Sequence, residues 1–246
     1  MLSRHMQDAL RDSGCGSRAT RGVKLRAVML GLALCAMVPT AGHALDIKVI
    51  NSADGKTITL ELTGGFNAGD GLKLRAQVAK IPADTAIVAH LNAAGGSFAE
   101  GMSVGRFFHQ IGVRTVIPAK ARCILPCPLA FLGGKSRVEG ESGQIKHSTG
   151  GFGFSAFLAQ AREQNYTAGD LDAAVANTQR GILQVADYLV EVSADLDFLK
   201  HIYDEAPDRS TRFMSNEELL ALGINIFDDG SGQLIEAQAL RRRLAR

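Results

Sequence analysis

The sequence predicts an α/β protein built around a parallel sheet, and three observations carry that expectation. Residues 87–91 form a short apolar run that meets Asn92-Ala93-Ala94-Gly95-Gly96, after which a helical pattern opens at Ser97. A β-branched run, Thr115-Val116-Ile117, ends at Pro118 and is followed by the turn Cys123-Ile124-Leu125-Pro126-Cys127 and another apolar stretch. The resulting order of strand, Gly-rich turn, helix, strand, tight turn and helix is that of consecutive parallel units. Apolar residues make up 46% of 246, enough for a sizeable core in one domain or two small ones.

The first 44 residues read as an export leader. A basic region ending at Lys24-Leu25-Arg26 precedes an uninterrupted apolar run over residues 27–38, and Pro39-Thr40-Ala41-Gly42-His43-Ala44 offers small residues for cleavage after Ala44. Twelve apolar residues are too few for a membrane span, which needs about 20. The basic region is long, so an internal start at Met6 is one alternative; a lipoprotein site at Cys35 and a buried N-terminal helix are others. Export places the mature chain outside the inner membrane, most simply in the periplasm. The leader holds six Lys/Arg and two Asp of the total 27 and 25, leaving 21 basic against 23 acidic residues. That balance argues against a nucleic-acid footprint.

Beyond the leader, residues 46–50 and 57–62 read as two strands around the Asp54-Gly55 turn, a hairpin. Residues 68–80 carry apolar positions at helical spacing, and Asp70 near the start of that helix is favourable first-turn charge. Gly95 and Gly96 allow positive φ and close approach of a ligand, and Ser97 is a natural N-cap. Residues 136–138 and 144–147 are short strand candidates. The following Ser148-Thr149-Gly150-Gly151-Phe152-Gly153-Phe154 reads either as a mobile recognition loop or as a connector anchored by two Phe. His90, His109 and His201 read as satisfied core histidines.

Residues 169–203 are the most regular stretch. Leu171, Val175, Thr178, Ile182, Val185, Leu189, Val192, Leu196 and Leu199 recur at steps of four and three, an apolar stripe of coiled-coil spacing broken once by Thr178. A single helix of that length spans about 50 Å at 1.5 Å per residue and would outrun a domain of this size. Pairing of copies through the 170–203 helix is the preferred expectation, with intramolecular core as the alternative. Ser215 and Glu218 have the spacing of a capping box. The end, residues 231–246 with Arg241, Arg242, Arg243 and Arg246, reads as a basic tail, so the domain is expected over residues 45–230.

Removal of the leader also removes Cys15 and Cys35. The mature chain then keeps Cys123 and Cys127, an even count that favours a disulfide in an oxidising compartment. In a regular helix, residues four apart hold their Cβ atoms about 5–6 Å apart, more than a disulfide tolerates. The bond therefore requires a bent turn, which Pro126 and Pro128 favour. Two buried free thiols or a metal pair are the alternatives, and the metal pair lacks nearby His or Cys partners.

Taken together, Leu91-Asn92-x-x-Gly95-Gly96, Glu100-Gly101-Met102-Ser103, the Cys-x-x-x-Cys turn, Phe131-Leu132-Gly133-Gly134 and His147 resemble the Clp peptidase/crotonase superfamily. The likeness is strongest to its secreted bacterial Clp-like branch and covers residues 57–225. It implies a repeated β-β-α spiral with a parallel sheet and a long projecting helix used for subunit contact. It also implies a nucleophilic Ser 29 residues after Gly96, where this chain has Leu125. The oxyanion donors would be the amides of Gly96 and of the residue after the nucleophile, but that residue is Pro126, which has no N–H. The family's Asp falls on Thr211. Only His147 remains, and a lone His does not cleave an amide by the Ser–His route.

The resemblance therefore implies a secreted peptidase scaffold without its chemistry, acting as a binding protein for a peptide or acyl ligand or as an oligomeric assembly. No cofactor or metal is implied. One alternative is a hydrolase with a displaced nucleophile drawn from Ser97, Ser148, Cys123 and Cys127. Crotonase-type thioester chemistry with Glu100 as base is the other.

Overall fold

Alternating side chains set the first strand pair in the computed structural model, which describes residues 44–53, 55–155, 166–203 and 211–237. β1 (Asp46–Asn51) and β2 (Thr57–Phe66) pair antiparallel, with Ile47 opposite Leu62 and Val49 opposite Leu60. In β2, Ile58, Leu60 and Leu62 are buried, and the intervening Thr59 and Glu61 lie on the less covered face. After α1 (Asp70–Val78), β3 (Ala86–Gly96) runs parallel to β2. Ser97 caps α2 (Phe98–Ile111) by accepting the Glu100 N–H at 3.4 Å, and Gly112 ends that helix at φ 71°.

β4 (Arg114–Ile117), β5 (Arg122–Ile124), α3 (Cys127–Leu132), β6 (Gln144–His147) and β7 (Gly151–Ser155) follow. The chain closes with α4 (Ala168–Glu191), α5 (Phe198–Tyr203), β8 (Thr211–Phe213), α6 (Asn216–Ala221), β9 (Asn225–Asp228) and β10 (Gln233–Ile235).

The main sheet has the order β1-β2-β3-β4-β6-β9-β10. Its five central strands are all parallel, and antiparallel pairing occurs only at its two edges. A second sheet joins β7 to β5 in parallel and to β8 antiparallel. The protein is thus mixed α/β with a mostly parallel central sheet, as the alternation in residues 87–134 predicts. Leu60, Leu62, Ala89, Leu91 and Ile117 of the sheet are buried in one core with Val104 and Phe108 of α2 and Leu129 and Leu132 of α3.

Several expectations need correction. The stretch 170–203 is two helices: α4 stops after Glu191 and α5 begins at Phe198. Ser193 takes φ 57°, its N–H donates to Val190 O at 3.1 Å, and the Ala194 N–H reaches Leu189 O at 2.9 Å. That is a left-handed cap with Ser where Gly is usual, and the apolar repeat ran on past it and hid it. Residues 136–138 form no strand. Of the segment after His147, residues 148–150 are a turn and the rest enters β7, with Phe152 and Phe154 buried as the anchored alternative has it. The sheet also runs past residue 230: β10 pairs with β9, and the buried Ala237 donates its N–H to Asn225 Oδ1 at 3.0 Å. The capping box is present, with Ser215 Oγ accepting the Glu218 N–H and Glu218 Oε2 accepting the Ser215 N–H. The leader up to residue 43, with Cys15 and Cys35, and the Arg241, Arg242, Arg243 and Arg246 cluster lie outside the described residues.

Candidate functional site

The turn at Gly95-Gly96 and the turn at Leu125-Pro126 are joined through backbone. Both glycines adopt positive φ, 77° and 112°, and a Cβ on Gly96 would collide with the Phe66 backbone, so Gly is required there. The Gly95 N–H donates to Leu125 O at 3.2 Å, and the Leu125 N–H donates to Gly153 O at 3.1 Å. Leu125 points into the core with 6% exposure. Pro126 is the N-cap of α3 and accepts the Leu129 N–H at 3.0 Å. A Cβ on Gly101 would lie 2.7 Å from Pro126 O, so α2 packs flush on this turn.

Cys123 and Cys127 form a disulfide, with Cα atoms 5.1 Å apart. Cys123 is still in β5 and Cys127 opens α3, so the intervening turn is not helical and the geometric objection does not arise. Both residues are fully buried.

His147 ends β6 and its ring lies 5.7 Å from that of Phe227, tilted by 40°. Its Nδ1 accepts the Thr149 N–H at 3.2 Å and lies 3.0 Å from Thr149 Oγ1. A backbone N–H can only donate, so Nδ1 is the acceptor and the ring proton belongs on Nε2. Nε2 faces Asp229 Oδ1 at 3.5 Å. The partners of its two nitrogens are thus Thr149 on the Nδ1 side and Asp229 on the Nε2 side. Thr211 stands in β8 with its hydroxyl 3.3 Å from Ser155 Oγ. The structure does not assemble Leu125, His147 and Thr211 into one hydrogen-bonded constellation.

The other nucleophile types hold structural posts. Ser97 Oγ caps α2, and Ser148 Oγ accepts the Asp229 N–H at 3.1 Å. Glu100 Oε1 accepts the Gly71 N–H at 2.5 Å and links α2 to α1.

Sequence reasoning missed Asp229, Thr149 and above all Lys146. Lys146 is 2% exposed, and its Nζ donates to His147 O at 3.0 Å, Ser148 O at 3.3 Å and Asn216 Oδ1 at 2.7 Å. Those three bonds fix the turn that carries His147 onto the first residue of α6. Burial pushes the ammonium down to about 8. A Lys inside Gln144-Ile145-Lys146-His147 gives no signal of this, because its acceptors come from carbonyls and from a residue 70 positions away.

A groove of about 390 Å³ opens beside the glycine turn. Gly96, Ser97, Phe98 and Met102 form one wall, Gly181, Gln184 and Val185 of α4 the other, and Tyr203 closes one side. A Cβ on Gly181 would meet nothing, so that position leaves the groove open. A larger, polar cleft of about 540 Å³ lies between the loop after α3 and His109. His109 Nδ1 has no hydrogen-bond partner among the described residues, so this His is not the satisfied core residue expected. Burial and the Lys135 charge hold its imidazolium below the ordinary His range, against a smaller opposing pull from Glu191. His90 is half-buried and lines a third cleft of about 360 Å³.

Among the described residues no group of three or more His, Cys, Asp or Glu is placed to hold a metal, and no helix is long and apolar enough to cross a membrane. Compared with known proteins, the chain matches no family model and no curated protein.

Proposed function

We propose that this chain is an exported, Clp peptidase-like scaffold that binds and assembles rather than cleaves. On this reading the two sheets and their helices are a variant of the Clp/crotonase spiral, and the mature protein works in the periplasm. One observation carries the reading. The position that would bear the nucleophile is a core leucine whose N–H and C=O are both tied to other backbone, followed by a proline with no amide to offer an oxyanion. The groove beside Gly96, with Phe98, Met102 and Val185 in its walls, suits an apolar peptide side chain or an acyl chain.

Assembly is the second half of the proposal. Only Val185, Tyr188 and Leu189 of α4 are buried, whereas Leu171 and Val175 are 58% and 57% exposed and Ile182 is also exposed. Thr178, the one polar residue in the stripe, donates its hydroxyl to Ala174 O at 2.9 Å and so carries no unmet bond into an apolar seam. A second copy laid along this stripe would cover it. Sedimentation of the wild type against the double variant Leu171→Asp, Val175→Asp tests this. An oligomer that dissociates in the variant, with thermal stability unchanged, supports assembly through α4. A wild type that sediments as a monomer contradicts it.

A further inference from the structure

Asp70 is a carboxylate with no exposed surface, at the first position of α1. Its Oδ1 accepts the Lys73 ammonium at 2.8 Å, and its Oδ2 accepts the Asn67 N–H at 2.7 Å and the Leu45 N–H at 3.3 Å. Lys73 is its one ion-pair partner among the described residues, and that side chain is itself 61% exposed. The carboxylate therefore meets its cation only from the solvent side. On the interior side stands a backbone nitrogen, that of Leu45, a residue 5% exposed. Leu45 is also the residue that follows the small-residue cleavage pattern ending at Ala44.

We propose that Asp70 is the receptor for the N-terminal ammonium that leader removal creates at Leu45. Hydrolysis breaks the Ala44–Leu45 peptide bond. The oxygen of water ends in the Ala44 carboxylate, which leaves with the leader. The Leu45 nitrogen becomes an amine and takes up a proton. The co-reactant is an endopeptidase that cuts after small residues. It acts before folding, because the Leu45 nitrogen is buried afterwards. The amide that donates one hydrogen bond to Oδ2 thus becomes a cation at the same place, and a charge-assisted bond replaces a neutral one. A buried carboxylate gains most from a partner that is itself out of water, where Coulombic attraction is least screened.

The post connects to the groove. The residue after Asp70 donates its N–H to Glu100, whose own N–H caps onto Ser97 beside Gly96. Anchoring the new terminus on Asp70 therefore braces the helix start that forms one groove wall. The proposal rests on the export reading, through cleavage after Ala44, and does not depend on the absence of catalysis.

The test uses the full chain, exported in a bacterial host and purified from the periplasm. N-terminal sequencing and intact mass should give Leu45 as the first residue. Competitive acetylation across pH, read at Leu45 by mass spectrometry, then gives the midpoint of its α-amine in the folded protein and in urea. Ion pairing raises the midpoint above the ordinary α-amine value near 8, whereas burial without a counter-charge lowers it. The expected result is a folded midpoint above the unfolded one, with at least a tenfold slower reaction near pH 8 in the folded state. Asp70→Asn should bring the midpoint back to or below the unfolded value. A first residue other than Leu45, or a folded midpoint at or below the unfolded one, overturns the proposal. The wild-type comparison decides even where Asp70→Asn does not fold.

Discussion

Asp70 and Lys146 are both charged residues closed off from water, and they are satisfied in opposite ways. The carboxylate of Asp70 meets an ammonium and two N–H groups. Burial alone would push it up, but the Lys73 bond and the amides of Asn67 and Leu45 outweigh that and hold it below the usual carboxylate range. Lys146 meets three neutral oxygens and no carboxylate, and burial lowers it to about 8. Counter-charge separates the two cases. Hydrogen bonds complete the geometry around Lys146 but do not recover the lost hydration of its charge.

The largest effect should come from Asp70. Asp70→Ala strips the acceptor from the buried Leu45 N–H and the part-buried Asn67 N–H and should cost about 2–4 kcal/mol in chemical unfolding. Its charge matters as well, and the sign of the pH dependence follows from the lowered folded pKa. The carboxylate stabilises the fold above the unfolded carboxyl range and ceases to do so as pH falls through the folded value. Acid unfolding of Asp70→Asn, measured against wild type, should therefore show a smaller loss on the acid limb.

Lys146 should behave in the reverse sense. Lys146→Met keeps most of the volume and removes a costly buried charge, at the expense of donors for three oxygens. A net loss of about 1 kcal/mol near neutrality is expected. Because the folded pKa lies below the unfolded one, the burial cost is present in full below about pH 8. It is relieved as pH rises toward 10.5, since the unfolded chain holds its proton longer. The stability of wild type relative to Lys146→Met should therefore rise over that window, on the order of 1–3 kcal/mol. A gap that stays flat or shrinks would mean that Lys146 is not the buried cation described. The smallest effect belongs to Lys73→Ala, below about 1 kcal/mol, because its side chain is 61% exposed.

Much of the fold was legible in the chain. The 87–134 alternation, the glycine turn, the Ser97 cap, the Ser215–Glu218 box and the first hairpin are local signals, written within a few residues, and all are present. The disulfide was legible from counting once export was assumed. The end of α4 was not, because Val192, Leu196 and Leu199 keep the apolar spacing across a left-handed Ser193 that sequence does not announce. The surroundings of His147 were equally hidden. Asp229 reaches Nε2 from the β9–β10 connection and Asn216 reaches Lys146 from α6, and both meetings are made by tertiary folding alone. Leu125 and Pro126 were legible as a chemical loss, but their backbone bonds to Gly153 and Gly95 were not.

Probe chemistry on the intact protein shows whether the turn at 123–127 is a closed structural element with no nucleophile. Wild type purified from the periplasm, without the leader that carries Cys15 and Cys35, is treated with a fluorophosphonate, and in parallel with iodoacetamide before and after reduction, and read by intact mass. The expected result is no fluorophosphonate adduct, no thiol before reduction, and two alkylated thiols, Cys123 and Cys127, after reduction in denaturant. A labelled Ser, or one reactive thiol in the unreduced folded protein, would contradict it and make the chain an enzyme with a relocated nucleophile.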